Sequence, residues 1–135
     1  KGFAMTGYRL GYIAAHTDIA KACEKIQGQF TSGTNAVTQR AAIVALTADL
    51  KPTFEMTKEF ERRRARVLQL IEEIPGWSCA APDGAFYVFP NVSSYFGKSN
   101  GTETIYNADD LCMYLLNTAH VSTVTGRAFG TPNCI

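Results

Sequence analysis

Lys1-Gly2-Phe3-Ala4-Met5-Thr6-Gly7-Tyr8-Arg9-Leu10-Gly11-Tyr12 is the stretch on which the reading of this chain turns. A lysine and an arginine stand eight residues apart around a segment rich in small residues. A lysine amine can condense with an aldehyde to a Schiff base. An arginine presents a planar fork that matches two phosphate oxygens. The two side chains together therefore suit one small molecule that carries both groups. Gly7 is expected to supply a backbone conformation, or a close approach, that a side chain would block.

The totals narrow the field. A length of 135 residues fits one domain or a piece of a larger one. A chain of that size buries roughly two-thirds of its unfolded surface, enough for a core. With 46% hydrophobic and 19% charged residues the composition is that of an ordinary globular protein. The net charge of +1 argues for neither nucleic acid nor an anionic membrane as partner. No apolar run is long enough to span a bilayer, and no signal peptide is visible. The cysteines are Cys23, Cys79, Cys112 and Cys134, without a CxxC pair, and the histidines, His16 and His120, lie far apart. No metal site is expected from that spacing. It leaves a Cys–His nucleophile pair open. The cysteines read as reduced residues of a cytoplasmic protein.

Periodicity and punctuation give a coarse map. Residues 8–14 are a short apolar strand candidate. Residues 17–27 carry Ile19, Ala22, Cys23 and Ile26 at helical spacing, with Thr17 or Asp18 as cap. Residues 28–34 read as a polar loop, and 35–48 as a second helix capped by Asn35. Pro52 marks a break. Residues 53–74 then place Met56, Phe60, Val67, Leu68, Ile71 and Ile74 on one helical face, and Pro75-Gly76 stops the helix. The run Arg62-Arg63-Arg64-Ala65-Arg66 is best read as a solvated face, because Glu55, Glu59 and Glu61 lie one turn away. Residues 77–80, 84–90 and 121–125 are strand candidates. Residues 91–106 read as a flexible loop, and 108–119 as a helix capped by Asn107 with Asp110 as its capping-box partner.

The segment K-G-F-A-M-T-G-Y-R-L-G-Y resembles the lysine segment of class I/II aminotransferases, the aspartate aminotransferase-like enzymes of fold type I. Two further stretches add to the resemblance. Pro82-Asp83-Gly84-Ala85-Phe86-Tyr87-Val88-Phe89-Pro90 is similar to the family's P-x-G-A-F-Y-x-F strand, and Gly126-Arg127-Ala128-Phe129-Gly130 to its G-x-x-F-G segment. The resemblance implies pyridoxal 5′-phosphate as cofactor, Lys1 as its Schiff-base lysine and catalytic proton carrier, and Arg9 as its phosphate ligand. It implies amino acid and 2-oxo acid substrates, aspartate-like on the donor side, and a homodimer. Gln29–Asn35 is similar to a family segment near the dimer interface, where a loop-and-cap role is the equal alternative. Tyr8 stands where many relatives have tryptophan, and Arg127 lies too early in its motif to hold a substrate carboxylate.

The implied fold class is α/β, with an α+β small domain built as a small mixed sheet with helices on one face. Residues 1–48 are expected to be the end of the large cofactor-binding domain, and 49–135 the small C-terminal domain. The resemblance also implies that the cofactor-ring aspartate, the phosphate cradle and the carboxylate arginine lie outside these residues, so the isolated chain is expected to be inactive. Other members of the superfamily share the lysine segment, so an aromatic or alanine aminotransferase or a C–S lyase remains an alternative. A non-catalytic regulator that carries an aminotransferase-like domain is another, and so is a trimmed structural fragment.

Overall fold

The computed structural model describes residues 1–135, which divide into two compact units, Lys1–Thr57 and Lys58–Ile135. Four α-helices are present: α1 (Thr17–Phe30), α2 (Ala36–Thr47), α3 (Lys51–Glu72) and α4 (Ala108–Tyr114). Short 3-10 turns lie at Thr6–Tyr8, Ser93–Tyr95 and Gly126–Phe129, and α4 runs on into a wider π turn, Leu115–Ala119.

The first unit is built by caps. Asn35 Oδ1 accepts from the N–H groups of Val37 (2.9 Å) and Thr38 (3.2 Å), which otherwise have no partner at the start of α2. His16, not Thr17 or Asp18, caps α1, its Nδ1 accepting from Asp18 N. The helix also runs past Gly28 to Phe30, into the stretch expected to be loop, and is closed where Thr31 N donates to Gln27 O. Burial is sparse: Thr38 is the one buried residue of α2, and α1 has none. Ile19, Ile26, Val37, Ile43 and Val44 stay exposed. The strand expected over 8–14 is absent. Tyr8 ends a 3-10 turn, Arg9 is left-handed, and Tyr12 and Ile13 are exposed. The physical reason is the lack of a ladder: a strand is made by its neighbours, and this unit has none to pair with it.

In α3 the proline does not break the helix. Pro52 falls in its first turn, where a missing N–H costs nothing, and Asp49 Oδ1 accepts from Lys51 N to start the helix one residue earlier. The arginine run is a solvated face: Arg62 and Arg63 both bind Glu59, at 2.7 and 2.9 Å, and Arg66 donates to Gln69.

The second unit carries the core. Val92, Ile105, Ala108, Leu111 and Ile135 are buried together, with Trp77, Phe96, Cys112, Tyr114 and Leu115 packed around them. Asn91 is the hub of the backbone, bridging antiparallel to Ser78 on one side and to Cys134 on the other. These bridges stay isolated. The expected mixed sheet is therefore not formed: residues 77–80, 84–90 and 121–125 are extended or bent without a ladder. Pairing stops at isolated bridges: beyond Ile135 N donating to Pro90 O, no run of successive bridges forms along 84–90 or 121–125.

Residues 91–106, expected to be a flexible loop, carry a network of local hydrogen bonds. Gly97 N donates to Ile105 O (2.7 Å), Ile105 N to Lys98 O (3.0 Å), and Asn100 Oδ1 ties the tip at Thr102 and Glu103. The turn holds because it places Ile105 in the core. Asn107 caps α4 through Asp110 N, and Asp110 reaches back one residue further than a standard capping box, to Tyr106 N.

Candidate functional site

The loop that carries Lys1 and Arg9 is two tight turns in succession. Ala4 N donates to Lys1 O at 2.9 Å, then Tyr8 N to Met5 O at 3.1 Å and Arg9 N to Thr6 O at 3.3 Å. Each turn ends on a residue that is not glycine yet adopts the left-handed conformation: Ala4 at φ 52° and Arg9 at φ 53°. Non-glycine residues resist that region by roughly 1 kcal/mol each, and such residues gather where function fixes the backbone. The conformation of Arg9 folds its side chain back over its own turn, where Nη1 donates to Thr6 O (3.3 Å). Thr38 Oγ1, on a buried residue of α2, donates to Tyr8 O (3.4 Å) and ties the loop to that helix.

Lys1 and Arg9 are both exposed and lie on successive turns of this one loop. Gly7 does not act as expected: its φ is not positive and a Cβ there meets nothing within 4 Å. The left-handed positions fall instead on Ala4 and Arg9, which no composition rule singles out. The loop Gln29–Asn35 is a helix–helix connection, with Ser32 and Gly33 at positive φ and Asn35 as the cap of α2. Arg127 pairs with Asp109 at 2.7 Å beside the start of α4. Phe86, within the aromatic stretch 86–89, stacks on Phe60 of α3.

The chemistry of the loop is that of a primary amine and a guanidinium fork held on one short, conformationally fixed segment. The amine can bond a carbonyl, and the fork can hold an oxyanion.

Comparison with known proteins fits this arrangement. The family described as aminotransferase class I and II matches residues 1–135. The chain is 45% identical to the bifunctional aspartate aminotransferase and glutamate/aspartate-prephenate aminotransferase of Petunia hybrida, covering all of this chain and 29% of that protein. The crystal structure of the aspartate aminotransferase from Rhizobium meliloti superposes with a TM-score of 0.89 at 38% identity, over 99% of this chain and 34% of that one. The alanine aminotransferase of Pyrococcus furiosus superposes with a TM-score of 0.78 at 30% identity, over 99% and 33%. The chain thus spans about a third of the length of the relatives it matches. Its fold is the corresponding part of a fold type I enzyme, and the chain belongs to the aminotransferase class I and II family.

Proposed function

We propose that these residues are part of a pyridoxal 5′-phosphate-dependent enzyme that transfers an amino group between an aspartate-like amino acid and a 2-oxo acid. The observation that carries the proposal is the Lys1–Arg9 loop, with its two left-handed turn ends, in a chain matched by the family from end to end. The donor set fits the cofactor: an amine for its aldehyde and a planar cationic fork for its phosphate, both on exposed side chains. When bound, the cofactor supplies the carbonyl that takes up the amino group and a ring that draws electrons from the substrate α-carbon. Lys1 Nζ would hold the cofactor aldehyde and, as a neutral amine, carry the substrate α-proton. Arg9 would hold the phosphate through its planar fork. The names of the relatives from Petunia and Rhizobium support aspartate as donor, and the likeness to an alanine aminotransferase supports a second reading with a smaller donor.

The same reading assigns residues 1–48 to the end of a large cofactor-binding domain and 49–135 to a small domain. The exposed apolar side chains of α1 and α2 support this, since such faces await a sheet to cover them. In the whole protein the small domain carries a mixed sheet with helices on one face, of which the bridges at Asn91 are the start. A homodimer in the cytoplasm completes the picture, the second point resting on four free cysteines.

The test uses the intact parent enzyme with aspartate and a 2-oxo acid. Borohydride reduction should fix the cofactor on the Lys1 side chain, and Lys1→Ala should lower the rate about a thousandfold or more. Arg9→Lys should weaken cofactor binding by about tenfold, because charge survives and the fork does not. Full activity in Lys1→Ala, or reduction at another lysine, would overturn the assignment. The 135-residue chain by itself is expected to form no product, since it spans only about a third of its relatives.

A further inference from the structure

Asn100-Gly101 is the one place in the chain where an asparagine precedes a glycine; the other five asparagines are each followed by a residue with a side chain. The pair sits at the tip of a hairpin in the second unit, where Ser99 and Thr104 bridge antiparallel and Asn100 N donates to Glu103 O (3.2 Å). Both residues are exposed, Gly101 has a φ of 94°, and a Cβ there would meet nothing within 4 Å. The side-chain amide of asparagine is chemically labile. A following glycine leaves that amide open to the next backbone nitrogen, because no Cβ stands in the way.

The hydrogen bonds of the tip favour that attack. Asn100 Oδ1 accepts from both Thr102 N (2.9 Å) and Glu103 N (2.8 Å). Two backbone donors on one carbonyl oxygen stabilise the negative charge that develops there when a nucleophile adds to its carbon. Gly101 N, the nucleophile, donates to Ser99 Oγ (3.1 Å), so its proton already points at an acceptor. Ser99 Oγ in turn donates to Glu103 O (2.8 Å), which fixes that acceptor in place.

We propose that Asn100 is a site of spontaneous deamidation in the folded protein, and that one of its products loosens the hold on Ile105. Gly101 N bonds to Asn100 Cγ, and its proton passes by way of Ser99 Oγ to the departing nitrogen, Nδ2. The Cγ–Nδ2 bond breaks, ammonia leaves, and a cyclic imide remains. Water, the only co-reactant, then opens the imide. Opening at Cγ gives aspartate, whose carboxylate still accepts from Thr102 N and Glu103 N. Opening at the main-chain carbonyl carbon gives isoaspartate, which routes the backbone through an extra carbon. The pairing behind the tip, Gly97 N to Ile105 O (2.7 Å) and Ile105 N to Lys98 O (3.0 Å), then loses its register. Ile105 is one of the buried core residues, so the change at the tip reaches the core.

The test is ageing of the intact parent protein in mildly alkaline buffer, followed by peptide mass mapping. Asn100 should convert before any other asparagine, to both acids, and at least as fast in the folded protein as in urea. Ser99→Ala removes the proton acceptor and should slow conversion about tenfold. The Ile105 amide should exchange at least about tenfold faster in the isoaspartate fraction than in Asn100→Asp, which keeps the main chain unaltered. No readout involves amino transfer, so the result leaves the aminotransferase reading to its own test. Conversion that is slower in the folded protein than in urea, that starts at another asparagine, or that ignores Ser99→Ala would overturn the site. Equal exchange of Ile105 in the isoaspartate fraction and in Asn100→Asp would overturn its effect on the core.

Discussion

A methyl group on Gly126 would collide with the backbone carbonyl oxygens of both Thr131 and Cys134, and neither can move without breaking the turn that returns the chain to the core. Gly126→Ala should therefore destabilise the second unit by about 1–3 kcal/mol, read as a lower urea midpoint at unchanged slope. A midpoint within error of the parent chain would show that the turn relaxes freely. Glu59 offers a different kind of test. Its hydrogen bonds from Arg62, then Arg63, hold its carboxyl at about 2. The folded value lies below the unfolded one, so whatever stability the cluster gives is present above the ordinary carboxylate range and is lost as pH falls toward 2. The side chains are well exposed, so the effect is small and fades with salt. An NMR titration of Glu59 should show a midpoint at about 2, and a midpoint in the ordinary carboxylate range would contradict the pairing. Burial, then the nearby Cys79, raises the Cys134 thiol above its ordinary value, while Cys23 is exposed. Mild alkylation should label Cys23 first and Cys134 last.

Caps were the most legible local signal, and they belong to the scale of the element. Asn35 before an apolar helical run and Asn107 four residues before Leu111 announce α2 and α4 from side-chain chemistry that acts within one turn. Asn35→Ala should cost the first unit about 1 kcal/mol, seen as reduced helicity of α2 by NMR chemical shifts. Unchanged shifts over Val37–Gln39 would show that the cap carries no weight. The helical face of α3 was readable for the same reason, since its period is a local property. Strands were not. Residues 84–90 have the right side chains, yet a strand exists only when another backbone pairs with it in register, and the bridges here stay isolated at Asn91. The same limit applies at the site. Lys1 and Arg9 were visible through their chemistry and spacing, whereas the left-handed turns at Ala4 and Arg9 were not, because sequence rules assign that conformation to glycine first. The tie from Thr38 to Tyr8, thirty residues apart, has no local signature at all.

At the scale of the whole molecule, burial is unevenly shared. The second unit has a core with Val92 wholly enclosed and Ile105, Ala108 and Leu111 nearly so. The first unit has two capped helices whose large apolar side chains stay in water, Phe30 at 83% and Val37 at 74% exposure. Helices of 14 and 12 residues are marginal on propensity alone, and tertiary packing is what normally holds them. In the 135-residue chain, α1 and α2 should thus open easily. Their amides should show protection of less than about tenfold, while those of Val92, Ile105 and Leu111 exchange only on unfolding of their unit. In the intact enzyme the same helices should be protected strongly, because the sheet of the large domain would cover Ile19, Ile26, Ile43 and Val44. The contrast between the two proteins is the informative quantity. Strong protection of α1 and α2 in the short chain as a monomer would mean that these helices need no sheet, and the assignment of residues 1–48 to a larger domain would lose its physical support. Protection that appears only as concentration rises would point to the exposed faces pairing with each other, which is the behaviour expected of helices whose proper cover lies elsewhere in the protein.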